Sequence, residues 1–93
     1  MSITLDEQVA IVTGAGHGLG RSHALALAER GARVVVNDLG EDDANSVVND
    51  IEAAGGTAMA VACSVSDNDA VIAMVNQTMD TWGRVDILVN NAG

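Results

Sequence analysis

Between Thr13 and Arg21 the sequence reads TGAGHGLGR, with glycines at 14, 16, 18 and 20 and little bulk between them. The apolar run Val9-Ala-Ile-Val12 precedes this stretch and a segment of helical length follows it, so it is a strand-to-helix turn. Free backbone N–H groups and the helix dipole make such a turn an anion site, and missing side chains let a pyrophosphate approach the backbone. Asp38 ends the next apolar run, near the spacing of about 20 residues at which an acid meets the ribose of a nucleotide held this way. A P-loop is excluded because the chain has no lysine.

The elements that would carry these residues are short and regular. Val9–Thr13, Arg33–Asn37, Thr57–Cys63 and Val85–Val89 are apolar runs that read as four strands. Three helices are expected between them, over Leu19 to Arg30, about Asp42 to Ala54, and about Asp69 to Trp82. Each is followed by a glycine suited to a left-handed stop: Gly31, Gly55 and Gly83. Ala44, Val47, Val48, Ile51 and Ala54 share one face of the second helix. Val71, Met74, Val75, Thr78, Met79 and Trp82 share one face of the third. Asp67 or Asn68 is positioned to cap the third helix, and Glu41, Asp42 and Asp43 complement the dipole of the second. Continuous rather than alternating apolar strands call for cover on both sides. The expectation is an α/β fold of Rossmann type, a doubly wound parallel sheet running β-α-β-α-β-α-β. Its strand order is 3-2-1-4, with the first two crossovers on one face, the third on the other, and strand four an open apolar edge.

The 93 residues carry 4 basic and 13 acidic side chains, a net charge of −9, which repels a phosphate backbone and an anionic membrane alike. No apolar stretch approaches the roughly 20 residues of a membrane-spanning helix, and the first residues show no targeting pattern. A soluble protein of the reducing cytoplasm, with no nucleic-acid or membrane partner and no metal site, is expected. Cys63, alone, reads as a buried small hydrophobe rather than a nucleophile, and Ser22 and His23 as surface or packing residues.

Thr13, Gly14, Gly18 and Gly20 form T-G-x-x-x-G-x-G, and Asn90-Asn-Ala-Gly93 follows the fourth strand. Together the two motifs resemble the short-chain dehydrogenase/reductase family, over essentially the whole chain. The resemblance implies that Gly14, His17, Gly18, Leu19 and Gly20 surround a cofactor pyrophosphate. It also implies that Asn90, Ala92 and Gly93 lie beside the nicotinamide ribose, with amide side chains tying neighbouring strands together. Asp38 would accept from the ribose hydroxyls and repel a 2′-phosphate, which favours NAD over NADP, although Arg21 and Arg33 are close in sequence. Ser64-Val65 stands where the family usually has Asp-Val, so a neutral serine would face the adenine. Val34 to Gly40 is similar to the hydroxyacyl-CoA and steroid dehydrogenase branch.

Catalysis in this family rests on a tyrosine, a lysine four residues later and a serine. This chain has neither tyrosine nor lysine, so none of its residues is assigned a catalytic role. Residues 1–93 are accordingly expected to be the amino-terminal, incomplete part of one NAD(P)-binding domain. The resemblance gives the intact protein an alcohol or carbonyl substrate and a homo-oligomeric state. A non-catalytic nucleotide-binding module and an inert fragment are the two alternatives.

Overall fold

Val9–Val12, small or β-branched throughout, form the central strand β1, and all four side chains are buried. The computed structural model describes residues 4–92. After β1 come α1 (Gly18–Glu29), β2 (Arg33–Asp38), α2 (Glu41–Ala53), β3 (Thr57–Ala62), α3 (Asn68–Trp82) and β4 (Ile87–Val89). All strand pairs are parallel and the order is β3-β2-β1-β4, as the sequence predicts. Val12 pairs with Val36 on one side and Val89 on the other, and Asp38 pairs with Ala62. The glycine turn, Asp38, Cys63 and the segment after Val89 therefore leave the sheet together at the carboxyl ends of the strands, where ligands of such sheets bind.

Alternation along the strands divides the core between two layers. Val34 and Val36 pack with Ala24 and Ala28 of α1 and with Ala44, Val47, Val48 and Ile51 of α2. Ile11 and Val35 face the opposite way, against Met74, with Val71 and Trp82 of α3 partly buried around them. Asp67 caps α3 by accepting from the Ala70 N–H at 3.1 Å. The helices stop where expected, with Gly31, Gly55 and Gly83 all at positive φ. No helix among the described residues is long and apolar enough to cross a membrane.

Three local expectations are corrected. Ala54 is exposed because it lies just beyond the last turn of α2. Val75 and Met79 are 38% and 45% exposed. Val71, Met74 and Trp82 pack on the sheet, Thr78 is buried between them, and Gln77 and Thr81 reach Met59 of β3 on one flank, whereas Val75 and Met79 lie on the other; among the described residues α3 is the only helix on that face. Leu88, beside Ile11 in the register, is exposed on the same side for the same reason. The fourth strand begins at Ile87 rather than Val85. Asp86 substitutes for the ladder there, its Oδ2 accepting from the Val9 N–H at 2.8 Å and its own N–H donating to the Val9 carbonyl at 2.9 Å. Hydrogen bonds from Arg84 first, and from Val9 second, hold the Asp86 carboxyl below its ordinary range.

Candidate functional site

The glycine turn is stitched to the strands on both sides. Thr13 N–H donates to the Val89 carbonyl at 3.0 Å, and Ala15 N–H to the Asn37 carbonyl at 2.7 Å. Gly14 and Gly18 both adopt φ near +62°, the left-handed region that glycine enters without a Cβ penalty. A Cβ on Gly18 would meet nothing within 4 Å, so this glycine borders open space. No side chain caps α1, whose N-cap is His17 in extended conformation, in contrast to the Asp67 cap of α3. The first N–H groups of α1 are thus left for a ligand, and the dipole makes an anion the favoured one.

Facing this turn is a cleft of about 620 Å³. Its walls come from Gly14, His17, Gly18 and Leu19, from Asn37, Asp38 and Leu39, from Cys63, Ser64 and Val65, and from Asn91 and Ala92. Of the residues singled out in the sequence, Gly14, His17, Gly18, Leu19, Asp38, Ser64, Val65 and Ala92 come together there. Gly20 and Asn90 do not line it. Gly20 packs helix to turn, because a Cβ on it would run into the Gly14 carbonyl. Asn90 Oδ1 accepts from the Thr13 hydroxyl at 3.3 Å and so ties β4 to β1. Gly93 lies outside the described residues.

Asp38 is 9% exposed, and both of its oxygens are held by backbone donors. Oδ2 accepts from the Gly16 N–H and Oδ1 from the Leu39 N–H, each at 2.7 Å. Neither nearby arginine reaches it: Arg21 pairs with Asp50 at 2.8 Å, and Arg33 opens the strand that Asp38 closes. Among the described residues no arginine or lysine lines the cleft.

Asn37, Leu39, Cys63 and Asn91 are wall residues that sequence reasoning missed. Asn37 is buried, and its Nδ2 lies 2.9 Å from the Val61 carbonyl and 3.3 Å from both the carbonyl and Sγ of Cys63. An amide directly after the Val34-Val-Val36 run and before Asp38 was the available signal. Asn91 Nδ2 donates to the Gly14 carbonyl at 3.2 Å, bracing the turn from the segment that leaves the neighbouring strand β4. Cys63 is half-buried and faces the cleft rather than the core alone. The Ser64 hydroxyl is engaged with Ser66, at 2.7 Å between the two oxygens.

A second hollow, of about 560 Å³, lies at the opposite end of the sheet, between the last turns of α1 and α2. Its walls are mainly apolar side chains and glycines, with Glu29 and Thr57, and helix carbonyl ends disfavour anions. The first cleft holds the chemistry.

A family model described as short chain dehydrogenase matches residues 8–93. The chain is 44% identical to the 7alpha-hydroxysteroid dehydrogenase of Escherichia coli (strain K12), covering 99% of this chain and 36% of that protein. It is 48% identical to the peroxisomal multifunctional enzyme A of Dictyostelium discoideum, over 100% of this chain and 22% of the relative. A solved structure of 7α-hydroxysteroid dehydrogenase complexed with NADH and 7-oxo glycochenodeoxycholic acid superposes with a TM-score of 0.94. It is 44% identical, over 97% of this chain and 35% of that one. The chain thus spans between about a fifth and just over a third of the length of these relatives.

Proposed function

The chain belongs to the short-chain dehydrogenase family, and we propose that it forms the amino-terminal, dinucleotide-binding part of an NAD(H)-dependent oxidoreductase acting on an alcohol or carbonyl carbon. The observation that carries the cofactor choice is Asp38: a nearly buried carboxylate in the cleft wall, with no arginine or lysine lining that wall among the described residues. It suits ribose hydroxyls, each such bond to a charged group contributing about 1.5–3 kcal/mol. A 2′-phosphate beside it meets a repulsion of up to about 4 kcal/mol per charge pair at an effective dielectric near 20.

The open space at Gly18 and the uncapped start of α1 suit a pyrophosphate. Gly14, His17, Leu19 and Gly20 would form or support that cradle, Ser64 and Val65 the adenine end, and Asn90, Ala92 and Gly93 the nicotinamide-ribose end. When bound, NAD supplies the hydride acceptor. This chain's residues bind and orient it, and none is assigned proton transfer, because the chain has neither the tyrosine nor the lysine on which catalysis in this family rests. By analogy with the relatives named hydroxysteroid dehydrogenase, we place the substrate among secondary alcohols or ketones on an apolar skeleton. A homo-oligomer in the cytoplasm completes the proposal.

Calorimetric titration of the full-length protein with NAD and NADP tests it, alongside Asp38→Ala. NAD is expected to bind at least about tenfold tighter, and the variant to lose most of that preference. Equal affinities in the wild type, or an unchanged preference in Asp38→Ala, would overturn the assignment.

A further inference from the structure

Gly16 is the one glycine of the turn and first helical residues that lies against a functional side chain, Asp38, as well as against a helix, at Asp43 of α2. Its φ is not positive, unlike those of Gly14 and Gly18, so no left-handed backbone demands glycine there. Helix packing accounts for Gly20. What fills the space at Gly16 is Asp38. A Cβ there would sit against Asp38 Oδ2, 2.9 Å from Asp38 Cγ and 2.8 Å from Asp43 Cβ. The same residue donates its N–H to Asp38 Oδ2 at 2.7 Å.

We propose that Gly16 is a specificity-determining residue: its N–H and its missing side chain together hold the Asp38 carboxylate where it selects against a 2′-phosphate. The inference rests on the dinucleotide reading given above. Asp38 has little freedom to yield, being nearly buried and tied through Oδ1 to the Leu39 N–H at 2.7 Å. Each carboxylate oxygen carries two acceptor sites, so one backbone bond apiece still leaves capacity for two ribose hydroxyls. A methyl group at position 16 turns the carboxylate out, breaks the Gly16 bond and displaces those acceptors. NAD then loses its hydroxyl contacts, while NADP, which gains nothing from the carboxylate, loses less. The Asp43 contact acts differently, because it displaces the turn as a whole and weakens both dinucleotides alike.

The test is a double-variant cycle in the full-length protein, comparing wild type, Gly16→Ala, Asp38→Ala and the double variant by calorimetric Kd for NAD and for NADP. Gly16→Ala is expected to lower the NADP-to-NAD ratio of Kd values by about tenfold. In the Asp38→Ala background it is expected to change that ratio by less than about twofold. Equal losses for both dinucleotides, or the same change of ratio in both backgrounds, would overturn the proposal, since a purely steric role at the turn behaves that way. If Gly16→Ala alone does not fold, restored melting in the double variant supports the proposal and continued failure refutes it. A wild-type protein that binds neither dinucleotide overturns the proposed function and this inference with it. Wild-type NAD preference combined with an unaltered ratio in Gly16→Ala overturns this inference alone.

Discussion

The Thr13 hydroxyl accepts the backbone N–H of Asn91 at 3.0 Å, and that of Ala92 at 3.1 Å. A side chain at the end of β1 thereby fixes the segment leaving β4, and with it one wall of the cleft. Thr13→Val keeps the shape and removes the acceptor. We expect a loss of about 1–2 kcal/mol in urea unfolding, toward the lower part of the range for stranded donors because Asn91 is exposed and water can reach its N–H. No change in the urea midpoint would show that the segment is held by the β4 pairing alone.

Gly18 and Gly20 respond to alanine in opposite ways to what helix propensity suggests. Gly18→Ala costs only left-handed strain, about 1–2 kcal/mol, because the space around it is open. Gly20→Ala, at helical φ, places a methyl group against the Gly14 carbonyl and Asn91 Nδ2 and forces the helix away from the turn. Such overpacking costs about 1–3 kcal/mol, offsetting the roughly 0.5–1 kcal/mol by which alanine favours a helix, and it moves the cradle. NAD affinity is therefore expected to fall more in Gly20→Ala than in Gly18→Ala, and the reverse order would contradict the packing.

Cys63 offers a probe of the cleft that does not rely on turnover. Its half-buried thiol lines the wall next to Ser64, so a bound dinucleotide shields it. At NAD concentrations about ten times Kd, alkylation by iodoacetamide should slow to about a tenth of the free rate, with NADP at equal concentration protecting less. An alkylation rate indifferent to NAD would place the nucleotide elsewhere.

The pH dependence of stability has one identifiable contributor in Asp86. Its carboxyl is held below the ordinary value, first by the Arg84 hydrogen bonds and next by the Val9 N–H. A lowered folded value means that its contribution is present above the ordinary carboxylate range and lost as pH falls through the lowered value. Asp86→Asn is thus expected to reduce the urea midpoint at neutral pH, and the gap to wild type should close in acid. A gap that persists in acid would mean that Asp86 acts through shape rather than charge.

Apolar runs and glycine stops were enough to read the element order, the parallel sheet and the division of helices between its faces, because those signals are local and periodic. They overstated the buried face of α3, since periodicity reports which residues are apolar and not how wide a neighbour covers them. Val75 and Met79 lie on the flank that the sheet does not reach.

The sequence by itself determined the glycine turn and an acid at the end of β2, because backbone freedom and charge are properties of residue type and spacing. Only the tertiary structure decided which neighbours these residues meet. It set Asn91 rather than Asn90 in the cleft wall, drew Asn37 onto Cys63, and brought the Asp38 carboxylate against Gly16. Those contacts join different elements at the carboxyl ends of the strands, and their partners are fixed by strand order and register, which no single stretch of chain encodes.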